Sequence, residues 1–357
     1  MLDAAQFPAI ATHFSDRPLP ATMGTYRHLL DVEHLTVRYP LVGRLTAKLL
    51  GLRSRYLDAV IDVSFRLEAG RTLALVGESG SGKSSLGRAL VGLQAAAGRI
   101  VFDRREPFID RAGGDQLFHR QVAMMFQDPV SSLSPRRSVR ALLAEPFQIH
   151  RLRDRDISAE VMRLLKLVGL PPEFAERYPH QLSGGQARRV GVARAISLSP
   201  KLIVADEPTA GLDVSVQAEI LNLLNDLQQR FGIAYLIITH NLSLVRHISD
   251  ETAIMYMGRF VEYGRTADIF AQPAHPYSRA LLAAQLRPDP DHRRQTPPLL
   301  GEVPSLINRP RGCEFHLRCA YAQATCRQRE PAVSAGAEGR WHRCHFPLNQ
   351  IASARAD

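Results

Sequence analysis

Short apolar runs bounded by glycine, acidic or polar residues recur along the chain and predict strands that are buried on both faces. Examples are residues 72–76, 200–205 and 235–239. Uninterrupted runs of this length are typical of strands in a sheet that is covered on both sides. Over residues 183–275 such runs alternate with helical patterns. This alternation predicts a mostly parallel sheet with helices on both faces.

The region between the first and second apolar runs has a different pattern. Residues 136–181 lack an evident strand and include a helical pattern over 159–168. Apolar residues at this spacing lie on one face of a helix. We therefore predict an inserted helical subdomain at about residues 128–182.

The amino-terminal part of the chain divides into three stretches. Residues 1–29 are expected to form a loosely structured leader, and residues 31–40 have the pattern of a strand. Residues 41–55 are both basic and apolar. This insertion could lie on a membrane surface or on a partner, and a short packed helix is the alternative.

A glycine-rich loop follows the first apolar run directly. Residues 77–84 read Gly-Glu-Ser-Gly-Ser-Gly-Lys-Ser, and a helical pattern follows over 85–93. Glycine lets backbone N–H groups approach phosphates, and the start of a helix adds unpaired donors. Strand, loop and helix in this order disfavour a glycine-rich turn with a chance lysine. The predicted nucleotide-binding residues are Gly77, Ser79, Gly80, Gly82, Lys83, Ser84 and Ser85, with Lys83 on the β- and γ-phosphates and Ser84 on Mg²⁺.

Two acids end the second apolar run, at Asp206 and Glu207. The carboxyl ends of parallel strands form the ligand edge of an open sheet. We expect Asp206 to hold Mg²⁺. Glu207 is expected to polarise the attacking water as a general base. A solvated pair of acids at a strand end is the alternative, and the phosphate loop in the same chain disfavours it.

Further motifs make the chain resemble the ATP-binding subunits of ABC transporters over about residues 30–275. They are a glutamine after an apolar run, a complete signature, an inter-subunit aspartate and a histidine after a strand. The residues are Gln127 in Met-Met-Phe-Gln-Asp-Pro, Leu182-Ser183-Gly184-Gly185-Gln186, Asp213 in Ala-Gly-Leu-Asp, and His240 after Tyr-Leu-Ile-Ile-Thr.

The resemblance implies a role for each motif. Gln127 would sense Mg²⁺ and the γ-phosphate and link to the membrane subunit, and His240 would contact the γ-phosphate. The signature residues would close over ATP bound to a partner ATPase, which Asp213 would touch. Small residues at a helix start let N–H groups reach an anion. Each chain would supply half of two sites, so we expect the isolated chain to be a poor ATPase.

The aromatic residue that stacks on adenine has two candidates. Tyr39 follows a strand pattern, as the aromatic of the family does, and Tyr56 lies beyond the 41–55 insertion. The chain departs from the family at Gly211, where serine-alanine-leucine-aspartate is usual, and at Asn241, where aspartate is usual. Neither departure removes a phosphate or metal contact.

The resemblance also implies the fold. We expect a P-loop NTPase (RecA-like) α/β core with a parallel sheet, a small antiparallel β subdomain, an inserted helical subdomain and a cysteine-bearing extension. The expected divisions are the leader over 1–29, an ATP-binding domain over 30–275 and the extension over 276–357.

All four cysteines lie close to the carboxyl end, with the spacing C-x5-C-x6-C-x17-C. Cytosolic proteins rarely keep disulfides, so clustered cysteines favour metal ligation. Four thiolates suit an iron–sulfur cluster or structural zinc, although the spacing is not that of a zinc ribbon. The candidate ligands are Cys313, Cys319, Cys326 and Cys344, with His316, His342 and His345 as alternatives or neighbouring donors. Unligated buried thiols are the remaining alternative.

The region around these cysteines resembles the carboxyl-terminal extension of oligopeptide/dipeptide importer ATPases. The resemblance rests on residues 312–322, on His-Pro-Tyr-Ser-Arg-Ala-Leu from residue 275 and on Pro-Pro-Leu-Leu-Gly-Glu-Val-Pro-Ser from residue 297. Residues 127–136 resemble the same branch. Members of the family can bind a four-iron cluster with such cysteines. We therefore favour a [4Fe-4S] cluster over zinc.

Composition limits the partners. The net charge is +10, with four lysines among 45 basic residues. A basic surface can face nucleic acid or anionic lipid, but no groove-reading element is evident, so no nucleic-acid partner is expected. No apolar run reaches the roughly twenty residues of a membrane span. The first residues lack the order of a signal peptide. We expect a peripheral protein on the cytoplasmic face of the inner membrane.

Together these features predict the ATP-hydrolysing subunit of an ABC importer for peptides or similar small solutes. Its expected partners are a second ATPase subunit, by resemblance a different chain, two transmembrane permeases and an extracytoplasmic solute-binding protein. The alternatives are an importer of an opine, metal chelate or sugar, an exporter ATPase, a soluble ABC ATPase and a non-catalytic nucleotide-binding regulator. The presence of both Glu207 and His240 disfavours the regulator.

Overall fold

The structure is a computed structural model, and it describes residues 28–41, 56–108, 115–128, 132–152, 154–284, 301–336 and 339–349. The first strand begins at His28, inside the stretch predicted as a leader; residues 1–27 lie outside the described residues. The insertion predicted over 41–55 lies outside them as well, apart from its first residue.

The main sheet has eight strands in the order β10-β11-β9-β8-β3-β7-β6-β5. Strands β5, β6, β7, β3 and β8 run parallel to one another, whereas β9 pairs antiparallel with β8. The mostly parallel core predicted from the apolar runs is therefore confirmed. The strands of this sheet are β3 (Thr72–Val76), β5 (Val122–Met125), β6 (Leu202–Asp206), β7 (Ala234–Thr239), β8 (Glu251–Tyr256), β9 (Arg259–Arg265), β10 (Ser334–Ala335) and β11 (Trp341–His342).

A second sheet of three antiparallel strands has the order β2-β1-β4. Its strands are β1 (His28–Pro40), β2 (Tyr56–Glu68) and β4 (Ala97–Phe102). Side chains of β1 and β2, including Leu35 and Val60, pack with Leu75 of β3 in one buried cluster. This arrangement confirms the small antiparallel subdomain expected from the resemblance, and Tyr39 packs against the same cluster.

The helices lie on both faces of the main sheet and in the inserted subdomain. The described helices are Lys83–Leu90, Gln116–Gln121, Val139–Ile149, Ile157–Leu167, Gly184–Ile196, Val214–Phe231, Leu242–Ile248, Thr266–Ala271, Pro276–Ala283 and Ala324–Gln328, with 3₁₀ turns at Pro172–Glu176 and Pro179–Gln181. None of these described helices has the length and apolar character needed to cross a membrane.

Local side-chain chemistry sets where the helices of the inserted subdomain begin. The helix Ile157–Leu167 starts two residues before the predicted 159–168 because Asp156 caps it. The Asp156 carboxylate accepts hydrogen bonds from the backbone N–H groups of Ser158 and Ala159, which have no partner inside the helix. Val161 and Leu164 then face a core shared with β6 and β7. The subdomain therefore packs onto the sheet that carries the acids.

The carboxyl-terminal extension continues the main sheet. Strand β11 pairs antiparallel with β9, and the Trp341 ring stacks on Tyr263 of β9 with centroids 5.8 Å apart. A separate apolar cluster joins Tyr256 at the end of β8 to Tyr277 and Phe315. Because β8 lies next to β3, the extension reaches the strand that leads into the phosphate loop.

Candidate nucleotide site

The phosphate loop leaves β3, all of whose residues are buried, and enters the helix Lys83–Leu90. Gly82 has φ 104°, and a Cβ there would lie 2.2 Å from the Ala59 carbonyl oxygen. Only glycine tolerates this conformation and this approach together. The helix starts two residues earlier than the predicted 85–93, directly after Gly82. Its first N–H groups are thereby brought to the mouth of the loop.

The Lys83 side chain lies inside the loop and is buried. Its Nζ donates hydrogen bonds to the carbonyl oxygens of Gly77 at 2.7 Å and Glu78 at 2.8 Å. Burial lowers the pKa of Lys83, while the nearby charges of Glu207, Asp206 and Glu78 oppose that shift. The ammonium is therefore surrounded by acceptors in a position where it can contact phosphate oxygens.

Asp206 ends β6 and is 4% exposed. Its Oδ1 is buried and has no hydrogen-bond partner among the described residues. Burial raises the pKa of Asp206, and the charge of Glu207 adds to this, whereas a hydrogen bond with Ser84 lowers it. A buried carboxylate oxygen without a partner, next to a serine hydroxyl, is a donor set that fits Mg²⁺.

Glu207 and His240 form a close pair at the carboxyl ends of β6 and β7. His240 Nδ1 lies 2.6 Å from Glu207 Oε1, and the His240 backbone N–H donates to the same oxygen at 3.1 Å. The Thr239 hydroxyl donates to the other carboxylate oxygen at 3.3 Å. The Glu207 side chain is only 12% exposed, whereas that of His240 is 70% exposed. The carboxylate is thus oriented, and the imidazole stands at the open edge of the site.

The backbone at Glu207 supports this geometry. Glu207 has φ 49°, in the left-handed region that non-glycine residues rarely adopt. Its N–H donates to the Ile238 carbonyl oxygen of β7 at 2.8 Å. An unfavourable backbone conformation held by a neighbouring strand is a feature that clusters at functional sites.

The two candidate adenine-stacking tyrosines lie on neighbouring strands. Tyr39 of β1 pairs with Leu57, and Tyr56 of β2 pairs with Pro40. The Tyr39 hydroxyl donates to Ser85 Oγ at 3.2 Å, which places its ring beside the phosphate-loop helix. Tyr56 is more exposed. The contact with Ser85 favours Tyr39.

The signature residues cap the start of the helix Gly184–Ile196. Ser183 Oγ accepts from the Gln186 N–H at 3.3 Å, and the Gln186 side chain accepts from the Ser183 N–H at 3.0 Å. A Cβ on Gly185 would lie 2.8 Å from Val216 Cγ1. Ser183 and Gly184 are exposed. The signature therefore packs by its glycines on one side and presents its helix start to solvent on the other.

Asp213 caps the next helix, Val214–Phe231. Its carboxylate accepts from the Val216 N–H at 2.9 Å and from the Ser215 hydroxyl at 2.7 Å. The Val216 bond, with that of Ser215 second, lowers the pKa of Asp213. Val214 beside it is 82% exposed. Asp213 and Val214 therefore stand at an exposed edge of the chain.

Sequence reasoning missed Arg188, which links Gln127 to the signature helix. Arg188 is 1% exposed and donates to three carbonyl oxygens, those of Phe126 at 3.2 Å, Gln127 at 2.9 Å and Ala210 at 3.2 Å. Burial lowers the pKa of Arg188, and the nearby charges of Asp128 and Glu207 oppose the shift. The signal available in the sequence was that Arg188 follows Ala187 and precedes Val190 in the helical run that the signature opens. The Gln127 side chain is exposed near the edge of the sheet that carries Asp206 and Glu207.

The four cysteines are unpaired, and all of them line one small cavity. His316 and His345 line it as well, together with His275, whereas His342 does not. Burial raises the pKa of Cys313 to about 11 and that of Cys344 to about 12. Within the described residues, no group of three or more His, Cys, Asp or Glu side chains is arranged to hold a metal ion. The cysteines converge as predicted, but a formed ligand set is not present.

Comparison with known proteins identifies the class. Residues 60–210 match the family described as ABC transporter, and residues 261–326 match the family described as oligopeptide/dipeptide transporter, C-terminal region. The solved structure of cbiO1 from Clostridium perfringens, part of the ABC transporter complex cbiONQ, superposes with a TM-score of 0.59. It is 29% identical and covers 69% of this chain and 92% of that chain.

Two curated relatives narrow the class. The chain is 45% identical to the probable peptide ABC transporter ATP-binding protein y4tS of Sinorhizobium fredii, over 89% of each chain. It is 41% identical to the dipeptide transport ATP-binding protein DppF of Haemophilus influenzae, over 88% of this chain and 96% of that protein. The chain belongs to the ATP-binding subunits of ABC transporters, in the oligopeptide/dipeptide branch, and it is an ATPase.

Proposed function

We propose that this chain powers the uptake of peptides through separate membrane permease subunits. The observation that carries the proposal is the match of residues 261–326 to the carboxyl-terminal region of oligopeptide/dipeptide transporters, in a chain that also matches the ABC transporter family. Relatives with printed peptide-transport names, at 39–46% identity, support the same substrate class.

In the proposed mechanism, Lys83 and the N–H groups of its helix hold the β- and γ-phosphates of ATP. Ser84, Gln127 and Asp206 hold Mg²⁺, which would neutralise charge on the phosphates. Glu207 accepts a proton from the attacking water through the carboxylate that His240 and Thr239 orient. His240 stands 70% exposed, so its ring is able to contact the γ-phosphate. The Tyr39 ring stacks on adenine.

The signature, we propose, acts on the nucleotide of a second ATPase subunit. Ser183 and Gly184 are exposed at a helix start, and Asp213 and Val214 form a neighbouring exposed edge. Closure of the partner over the phosphate loop would exclude water and add N–H donors at the γ-phosphate. The partner is proposed to be a different chain, as the resemblance implies.

A surface groove supports docking of a permease. A cavity of about 280 Å³ lies beside Gln127 and is lined by Phe126, Ile149 and Arg194, among others. Phe126 and Ile149 are large apolar side chains that are exposed there. An amphipathic helix would bury both side chains in such a groove. This contact would hold the chain at the cytoplasmic face of the inner membrane. An extracytoplasmic solute-binding protein would deliver the peptide to the permeases from the opposite face.

For the cysteine cavity we propose a [4Fe-4S] cluster held by Cys313, Cys319, Cys326 and Cys344, with Zn²⁺ as the alternative. Convergence of four soft donors on one cavity supports it. Protein purified without oxygen should contain about four irons per chain and be brown. Stoichiometric zinc without iron would rule the cluster out.

Peptide uptake is tested by a strain in which Glu207→Gln replaces the native chain. We expect uptake of radiolabelled dialanine to fall by about a hundredfold or more, because general-base catalysis is lost. Glu219→Gln is the matched control, since Glu219 is an exposed partner of Arg189, and it should leave uptake unchanged. Normal dialanine uptake in the Glu207→Gln strain, with loss of uptake of a sugar or opine, would contradict a peptide substrate.

A further inference from the structure

The second residue of the phosphate loop, Glu78, carries a negative charge into a loop that must bind an anion. Its backbone carbonyl accepts from Lys83 Nζ, and the charge of Glu78 is among those that act on Lys83. A bare carboxylate at this position would compete with phosphate for the lysine and would repel the β- and γ-phosphates. The structure pairs this carboxylate with a cation.

That cation is Arg318, which lies in the carboxyl-terminal extension next to Cys319. Its Nη1 donates to Glu78 Oε2 at 2.6 Å and its Nη2 donates to Glu78 Oε1 at 3.0 Å. Two parallel bonds of this kind are the strongest and most directional arrangement of arginine on a carboxylate. Arg318 is only 8% exposed, so solvent screens the pair weakly. The bonds to Glu78 raise the pKa of Arg318.

A second contact from the extension holds the same loop residue. The Glu78 backbone N–H donates to the Tyr277 hydroxyl at 2.9 Å. The Tyr277 ring packs on Phe315 with centroids 5.4 Å apart, and Arg318 stands over the Tyr256 ring at 6.0 Å. The N–H, the carbonyl and the carboxylate of Glu78 are thus each held. Two of the three holding groups lie beyond the stretch 60–210 that matches the ABC transporter family.

We propose that Arg318 is a positioning residue for ATP binding, which fixes the Glu78 side chain and cancels its charge beside the phosphates. The extension then contributes to nucleotide affinity as well as to packing. This inference rests on the proposed role of the phosphate loop in holding ATP.

The test is ATP binding to the purified full chain, measured by titration calorimetry with Mg²⁺ present. Arg318→Ala should weaken ATP binding by about five- to tenfold, a usual coupling between contacting groups. Glu78→Gln should tighten ATP binding by about twofold or more, because the positive charge of Arg318 is then no longer neutralised and attracts the phosphates. The double variant Arg318→Ala, Glu78→Gln should bind within about twofold of wild type.

Rescue in the double variant separates charge cancellation from a merely structural role. If the arginine only supports the shape of the loop, the double variant stays as weak as Arg318→Ala, and the proposal is overturned. Wild-type affinity in Arg318→Ala would overturn it as well. If Arg318→Ala does not fold, unchanged or weaker binding by Glu78→Gln alone contradicts charge cancellation.

Arg259→Ala is the matched control. Arg259 lies at the same interface and pairs with Glu330 of the extension at 3.4 Å, but no bond to the phosphate loop is seen among the described residues. Its ATP affinity should stay within about twofold of wild type; an equal loss in both arginine variants would overturn a specific role of Arg318. If the wild-type chain itself binds no ATP, the proposed function fails, which is a different result from wild-type binding that Arg318→Ala leaves intact.

Discussion

The phosphate loop and the signature use the same chemistry, small residues at the start of a helix, yet their surroundings differ. The phosphate loop follows a buried strand, and Lys83 is buried within it and bonded to loop carbonyls. The signature caps itself through Ser183 and Gln186 and leaves its helix start exposed. The first is a loop whose lysine is buried and held by groups of the same chain. The second is an exposed surface, which is proposed to act on a nucleotide bound to another subunit.

The difference explains how two anion-binding motifs coexist in one chain without competing for one phosphate. A helix start binds anions only where its N–H groups point at them, and solvent weakens that attraction. In the phosphate loop, the buried Lys83 already stands beside the position proposed for the phosphates. At the signature, whose helix start is exposed, the proposed function requires a facing subunit to enclose the anion. Binding of ATP and its hydrolysis should therefore respond differently to changes in the two regions.

The largest expected difference is between the effects of Gly184→Asp and Lys83→Ala on ATP hydrolysis and ATP binding. An aspartate at the first turn favours the helix itself but places a negative charge against the partner's γ-phosphate. We expect hydrolysis by the assembled transporter to fall by about a hundredfold, with ATP affinity of the isolated chain unchanged. Lys83→Ala should instead abolish ATP binding by the isolated chain. Hydrolysis by proteoliposomes and calorimetric titration measure the two effects.

Gly184→Ala is the control for added bulk, because its Cβ would lie 3.3 Å from the flexible end of Leu212. It should retain most of the hydrolysis. If Gly184→Asp weakens ATP binding by the isolated chain as much as Lys83→Ala does, the signature acts on the nucleotide of its own chain, and the contrast between the two regions fails.

A smaller effect is expected where the two regions are joined, at Arg188. Arg188→Ala removes a buried cation and leaves carbonyl oxygens of Phe126, Gln127 and Ala210 without that donor. We expect a loss of about 2–3 kcal/mol in the free energy of unfolding. Arg189→Ala is the matched control. Arg189 pairs with the exposed Glu219 and with one carbonyl, so its loss should cost about 1 kcal/mol or less.

Urea denaturation of both variants measures this difference. Equal losses in the two arginine variants would show that the bonds of Arg188 to the Gln127 segment and to Ala210 are not a special link. A larger loss in Arg188→Ala, together with a changed ATP hydrolysis rate, supports a mechanical connection between the signature helix and the Gln127 segment, which is proposed to contact Mg²⁺.

The parts of the site that the sequence predicts well are those in which neighbours along the chain determine the chemistry. The strand at 72–76 was predicted with its observed bounds, because five successive residues are buried and the glycine loop ends it. Asp206 and Glu207 lie together because they adjoin each other, and the strand brings them to the ligand edge. The branch assignment followed from motifs near the cysteines, and the family matches confirm it.

The parts that the sequence did not predict depend on contacts between distant residues. Arg318 and Glu78 are separated by 240 positions, and β11 pairs with β9 across a stretch without an evident strand pattern. Strand β11 has only two residues, too few for a periodic pattern. Clustering of the cysteines in the sequence led to the prediction of a metal site. Ligand geometry, however, depends on how the helix Ala324–Gln328, which holds Cys326, packs against the segments that hold the other three, and sequence clustering does not determine that.

The smallest expected effect concerns Asp206, whose buried carboxylate lowers the free energy of unfolding of the ATP-free chain. Burial raises the pKa of Asp206, so the folded chain binds a proton more tightly than the unfolded chain does. The free energy of unfolding therefore falls as pH rises from the unfolded pKa, about 4 for aspartate, through the raised folded pKa. This loss of stability is fully present above the pKa of Asp206 in the folded chain. It is absent below the pKa of Asp206 in the unfolded chain.

Asp206→Asn removes this titration and keeps the shape of the side chain. We expect the nucleotide-free variant to exceed the wild type in unfolding free energy by about 1 kcal/mol at pH 7, with the gap closing towards pH 4. Thermal unfolding in EDTA at the two pH values measures this. A variant that is less stable at pH 7 would show that the carboxylate is stabilised by the chain alone. The expected gain instead means that Asp206 is kept for a cation that arrives with ATP.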